Sequence, residues 1–200
     1  MNLDQVDRVG RYIESKVPNT TYAGCHLLDE CDRILPPTGS SDTSFGIVNT
    51  LTSTSDRSTM GHYLLLAFNS HQLFFFDSFG LPLHTYPHWL TDCISYWKGR
   101  GFQFVTHGRR LQAMDSLLCG LYSLYTGYIF ARVKGSSLTR SVLDSLFSVD
   151  YRGNDRRIIS ICYGRLGLPL PPYTTTFCDP SVASGGYTSC IMAYKRKNGS

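Results

Sequence analysis

Apolar positions in this chain follow two rhythms, one near 3.6 residues and one of short unbroken runs, which predicts helices mixed with buried strands. Leu3, Val6, Val9 and Ile13 recur at helical spacing after Asn2, a capping residue with Gln5 three positions on, and Pro18 closes this N-terminal helix. Pro36, Pro37 and Gly39 mark a loop, after which Phe45 to Leu51 reads as a strand and Thr52 to Thr59 as a second polar loop. His62 to Phe68 and Gln72 to Asp77 are apolar runs separated by Asn69, Ser70 and His71, the pattern of a hairpin of two buried strands.

Pro87 opens a helix carrying Trp89, Leu90, Cys93, Ile94 and Trp97 toward one side, stopped by Gly99 and Gly101. Gln103 to Thr106 predicts a short strand. Ser116 to Arg132 is almost wholly apolar or aromatic, as in a central helix buried on most sides, with Cys119 near its beginning. Ser136 to Phe147 and Asn154 to Leu166 predict two more helices. The expected fold class is α+β, a small mixed sheet packed on several helices, with one domain over residues 1–167. The proline- and glycine-rich stretch 168–200 is expected to be an irregular tail with a basic end. No internal repeat is present.

Composition narrows the function classes. Hydrophobic residues make up 42% and charged residues 17% of the 200, which is the balance of a globular chain and excludes disorder. The N-terminus lacks the pattern of a secretory signal and no run is long enough to span a bilayer, so an intracellular, soluble protein is expected. Seven cysteines at irregular spacing leave at least one free thiol. The net charge of +4 is modest, but Arg109-Arg110, Arg156-Arg157 and Lys195-Arg196-Lys197 form clusters that can attract a phosphate backbone. A solvated surface with a basic tail explains the same clusters. His84 and His88 have Pro87 between them and no Glu, and Cys25, His26 and Cys31 have no second pair at finger spacing, so no metal site is expected.

The chemistry-bearing residues are few. A thiol is a strong nucleophile only as the thiolate, which a helix N-terminus and a neighbouring imidazolium both stabilise, and Cys119 is placed for the first of these. A buried core cysteine is the alternative reading. Gly120, with no side chain, would let a substrate backbone approach. His62 opens a predicted strand after Gly61, where a base can project into a cleft from a rigid anchor. Asp77 ends the adjacent strand after three phenylalanines and can meet His62 if the strands pair, fixing its tautomer. Gln112 could supply a side-chain amide to an oxyanion, together with the backbone N–H of Cys119.

Phe45-Gly46-Ile47-Val48-Asn49-Thr50, Gly61-His62, Phe76-Asp77-Ser78-Phe79-Gly80, Gln112 and Cys119-Gly120-Leu121 stand in an order and spacing that resemble the adenovirus maturation protease family, adenain-like enzymes of the clan that includes SUMO-deconjugating proteases. The resemblance covers more than half the chain. It implies a papain-like cysteine protease fold, with Cys119 as nucleophile, His62 as general base, Asp77 as orienting acid, and Gln112 with Cys119 as the oxyanion hole. It further implies a narrow cleft lined by Gly61, Tyr63 and Gly120. Cleavage of viral capsid and core precursors at Gly-containing sites during virion maturation follows, in the host nucleus and the virion, by a monomer stimulated by DNA and an activating viral peptide. Tyr63 stands where these enzymes place Trp, and Asp77 where Glu is common. No cysteine lies between Gly101 and Leu111, where the family attaches its peptide by a disulfide, and Cys93 is the nearest upstream thiol, which leaves three alternatives: noncovalent peptide activation, attachment to another thiol, or no peptide activation. Two other readings are a deconjugating isopeptidase of the same clan and an inactive DNA-binding virion protein.

Overall fold

The computed structural model describes residues 1–55 and 61–167. The expected tail, with Lys195, Arg196 and Lys197, lies outside the described residues. Five strands form one sheet in chain order: β1 (Thr20–Leu27), β2 (Thr43–Asn49), β3 (Tyr63–Phe68), β4 (Gln72–Phe76) and β5 (Gln103–His107). The three inner strands are antiparallel, while β1 joins β2 and β5 joins β4 in parallel. The helices are α1 (Leu3–Lys16), α2 (His88–Gly99), α3 (Cys119–Val133), α4 (Ser136–Leu146) and α5 (Tyr151–Ser160), the last running into one π-helical turn at Ile161–Arg165.

Alternation along the strands divides the apolar residues between two faces. Phe45, Ile47, Tyr63, Leu65, Ala67, Phe74 and Phe76 belong to a core completed by α1 and α3, with Val6, Val9, Ile13, Leu121, Leu124 and Phe130. Val48, Leu64, Leu66, Phe68, Leu73 and Phe75 face the opposite way, onto α2 and the short 3-10 turn at Leu28–Arg33. Covering both faces of β3 and β4 explains why their sequences are unbroken apolar runs. Each such side chain taken out of water contributes about 1.5–3 kcal/mol. Phe74 stacks on Phe130 with ring centroids 5.6 Å apart, tying the sheet to α3.

The expected α+β architecture and the hairpin are present. Asn2 and Gln5 close the capping box of α1. Four elements differ from expectation. β1 was not anticipated: Gly24 sits at φ +106, the pairing to β2 shifts between Tyr22 and Cys25, and several residues are partly exposed, so no clean period survives in the sequence. β2 begins and ends two residues before the expected strand. α3 begins at Cys119, not Ser116, because residues 111–118 are held in an extended loop by contacts described below. α5 begins three residues early, since Asp150 and not Asn154 is its cap, accepting from Gly153 N–H at 2.9 Å. Among the described residues, no helix is long and apolar enough to cross a membrane.

Candidate active site

His62 lies one residue before β3 and Asp77 one residue after β4, and the register that pairs Leu65 with Phe76 brings these two strand ends together. The His62 backbone is fixed on both sides: its N–H donates to Thr50 Oγ1 at 2.8 Å and its carbonyl accepts from Thr50 N–H at 2.8 Å. The imidazole packs on the Phe79 ring at 4.8 Å, and its Nε2 lies 2.6 Å from Asp77 Oδ1.

Asp77 is 1% exposed, and a carboxylate so buried persists only when its lone pairs are filled. Oδ1 also accepts from Phe79 N–H at 2.9 Å, and Oδ2 accepts from Leu81 N–H and from Tyr86 O–H, each at 2.8 Å. The turn that supplies these donors depends on Gly80, at φ +65, where a Cβ would lie 2.6 Å from the backbone nitrogen of Arg110. Burial alone would raise the Asp77 carboxyl; the charge of His62 and these hydrogen bonds outweigh it and hold it below its ordinary value.

Cys119 is the first residue of α3, with no side-chain cap ahead of it, so the positive end of the helix is directed at its own first turn. Ser123 Oγ donates to Tyr63 O at 3.0 Å, fastening this turn of α3 to the strand that His62 opens. With Nε2 engaged by Asp77, the buried Nδ1 of His62 makes no hydrogen bond among the described residues and is left for the neighbouring Cys119 thiol. Burial pushes the Cys119 thiol up, but the charge and proximity of His62 and the Tyr63 N–H together bring it below its usual value. Burial likewise pushes His62 down, yet the thiolate on one side and Asp77 on the other raise it to about 10. The arrangement favours a thiolate–imidazolium pair held by a carboxylate.

Gln112 is fully buried, and its amide is clamped at both ends. Oε1 accepts from Ser78 Oγ at 2.6 Å and Nε2 donates one hydrogen to Ser116 O at 2.7 Å, leaving the second for another acceptor. The Ser78 backbone also receives Leu111 N–H and Gln112 N–H, so the segments after β4 and before α3 are stitched together.

Three positions expected to line the cleft serve packing instead. A Cβ on Gly61 would overlap the Asn49 side chain; Tyr63 is 5% exposed and donates to Met1 O at 3.1 Å; and a Cβ on Gly120 would face the Tyr63 ring, Met1 and Val6. The small residues there admit neighbouring side chains of this chain. Cys93 is 7% exposed on the buried side of α2 and hydrogen-bonded to Cys31, which leaves it poorly presented to an incoming peptide. The arginine pairs are engaged internally. Arg109 bridges Asp144 and Phe147 O, Arg110 lies over the Tyr151 ring, Arg156 approaches Asp150 and Arg157 donates to Leu146 O. Among the described residues, no group of three or more His, Cys, Asp and Glu side chains is disposed to hold a metal ion. Thr50, Ser78 and Tyr86, which orient the central residues, carried no signal of their own beyond Thr50 and Ser78 falling inside the motif strings.

No protein-family model matches the sequence, and no curated protein does. Solved structures do. The ASFV pS273R protease aligns over 80% of this chain and 65% of its own length, at 14% identity and a TM-score of 0.50. This chain has the fold of that protease. The C-terminal Ulp1 protease domain, solved in complex with SMT3, the yeast ortholog of SUMO, aligns over 81% of this chain and 75% of that one, at 14% identity and a TM-score of 0.46. The likeness is one of fold, and the chain spans about two thirds of the viral protease it resembles.

Proposed function

We propose that the protein is a cysteine endopeptidase. The observation that carries this reading is the 2.6 Å contact between His62 and a fully hydrogen-bonded Asp77, with the other face of the imidazole left to a depressed-pKa thiol at a helix N-terminus. The Cys119 thiolate attacks a peptide carbonyl, forming a C–S bond and an oxyanion. The Cys119 N–H and the second amide hydrogen of Gln112 receive that oxyanion. As the C–N bond breaks, His62 gives its proton to the leaving amine. Neutral His62 then takes a proton from water, which adds to the thioester, and the acid product leaves with the thiolate and imidazolium restored. Asp77 stays ionised throughout and holds the ring.

On the strength of the resemblance, the substrates are viral capsid and core precursors cut at Gly-containing sites during virion maturation in the host nucleus and virion. DNA and a viral peptide are proposed as activators, the peptide attaching without Cys93. The test is cleavage of Gly-ending fluorogenic peptides by wild type, Cys119→Ala and His62→Ala, with and without DNA. Wild-type turnover lost in both variants upholds the reading. Turnover of a ubiquitin-like conjugate but of no peptide would move the protein to the deconjugating enzymes, and a Cys119 that reacts with iodoacetamide no faster than an ordinary thiol would end the catalytic reading.

A further inference from the structure

Residues 111–116 present Gln112 ahead of Cys119 but contain no helix or strand. Their conformation is imposed from outside, chiefly by the first turns of α5. Asn154 Nδ2 donates to Leu111 O at 2.9 Å and to Ser148 O at 2.8 Å, while its Oδ1 accepts from Ser148 N–H at 2.9 Å. Asp155, 2% exposed, accepts from Tyr122 O–H at 2.9 Å and from Ala113 N–H. The buried Ser116 hydroxyl lies toward the same carboxylate and makes no hydrogen bond of its own among the described residues. Arg152 pairs with Asp115 at 2.5 Å.

Ser116 is the connecting residue. Its hydroxyl faces Asp155 and its carbonyl receives Gln112 Nε2. We propose that Asp155 is a positioning residue for the reaction, orienting the Gln112 amide through Ser116 and Ala113 so that its second hydrogen is aimed at the oxyanion. This rests on the cysteine-peptidase reading above.

The charge on Asp155 has no evident purpose in folding. Burial, aided by nearby Asp115, raises its carboxyl to about 6, and the neighbouring Tyr122, Ser116 and Ala113 groups recover only part of that rise. A folded-state value above the unfolded one means that stability falls as pH climbs from the ordinary carboxyl range through about 6, so the ionised form at neutral pH works against the fold. An amide of the same shape would avoid that cost but would put donors where the Tyr122 and Ala113 donors already converge. The groups facing Asp155 are Tyr122 from α3, with Cys162 of the π turn beside it, Asp115 with its partner Arg152, and Ser116. None is a base that titrates in the same range, so protonation of Asp155, which weakens it as an acceptor for Tyr122 O–H and Ala113 N–H, loosens the Gln112 loop.

The experiment measures kcat and KM on a fluorogenic peptide against pH for wild type, Asp155→Asn and Tyr122→Phe, with hydrogen exchange of residues 111–118 at a fixed neutral pH. Wild type is expected to show a step in kcat near pH 6 that Asp155→Asn lacks. That variant should sit about tenfold or more lower at neutral pH, with KM and the iodoacetamide rate of Cys119 little changed. Tyr122→Phe, which removes one donor and keeps the carboxylate, should retain the step, and supplies the comparison if Asp155→Asn folds poorly. Exchange in the loop should quicken in Asp155→Asn. An unchanged kcat profile, or unchanged exchange, overturns the proposal. If wild type cuts nothing, the peptidase reading has failed, and exchange alone still decides whether Asp155 holds the loop.

Discussion

Asp77 Oδ1 meets His62 Nε2 at 2.6 Å while three further donors, two of them backbone N–H groups, fill the remaining lone pairs of the same carboxylate. Such a group has little freedom to rotate, so the imidazole it holds has one orientation and one tautomer. Asp77→Asn keeps the shape but offers an amide N–H where an acceptor is required. Peptide turnover is expected to fall by roughly 10³–10⁴-fold, as for triad aspartates elsewhere, with a lower melting temperature because the amide N–H faces buried donors.

The paired shifts of Cys119 and His62 set the pH response. The thiolate forms as pH rises through the depressed value of Cys119, and the imidazolium is lost only as pH passes about 10. Iodoacetamide should therefore alkylate Cys119 rapidly at neutral pH, and His62→Ala should move the onset up to the ordinary thiol range, about 8.5 or above. Peptide turnover, which also needs the imidazolium proton, should decline at the alkaline end even though alkylation does not.

Gly80→Ala is expected to impair both stability and activity. The residue sits at φ +65 with the Arg110 backbone 2.6 Å from where a Cβ would be, so the turn after Asp77 must shift. A loss of about 1–3 kcal/mol in urea unfolding is anticipated, together with lower turnover as the Phe79 and Leu81 donors move.

Phe130→Ala removes the ring that stacks on Phe74 and leaves a cavity between sheet and α3. Unfolding free energy should drop by about 3–5 kcal/mol, read as a lower urea midpoint at an unchanged slope.

The sequence made the hairpin and the central helix legible because both faces of β3 and β4 and most of α3 are buried, so composition there reflects a single environment. His62, Asp77 and Cys119 were legible as strand and helix ends. β1 was hidden by Gly24 and its irregular pairing, and the early start of α5 by the competition between Asp150 and Asn154 for the capping role. Loop contacts leave still less trace. Nothing in a string of residues announces that Asn154 and Asp155 reach across to Leu111 and Ala113, or that Gly61 and Gly120 make room for Asn49 and Tyr63.

His62 and Asp77 leave the two innermost adjoining strands of a sheet covered on both faces. Segments in that position exchange their amides only when the molecule unfolds as a whole, whereas edges and loops open at far lower cost. The acid–base pair therefore has no local route to disassembly: heat or denaturant should leave it intact until the cooperative transition. The Gln112 loop lies outside the sheet and is held by two backbone bonds to Ser78 and by side chains from α5; it belongs to a softer region that can come apart first, so the protein would lose its rate before it loses its structure.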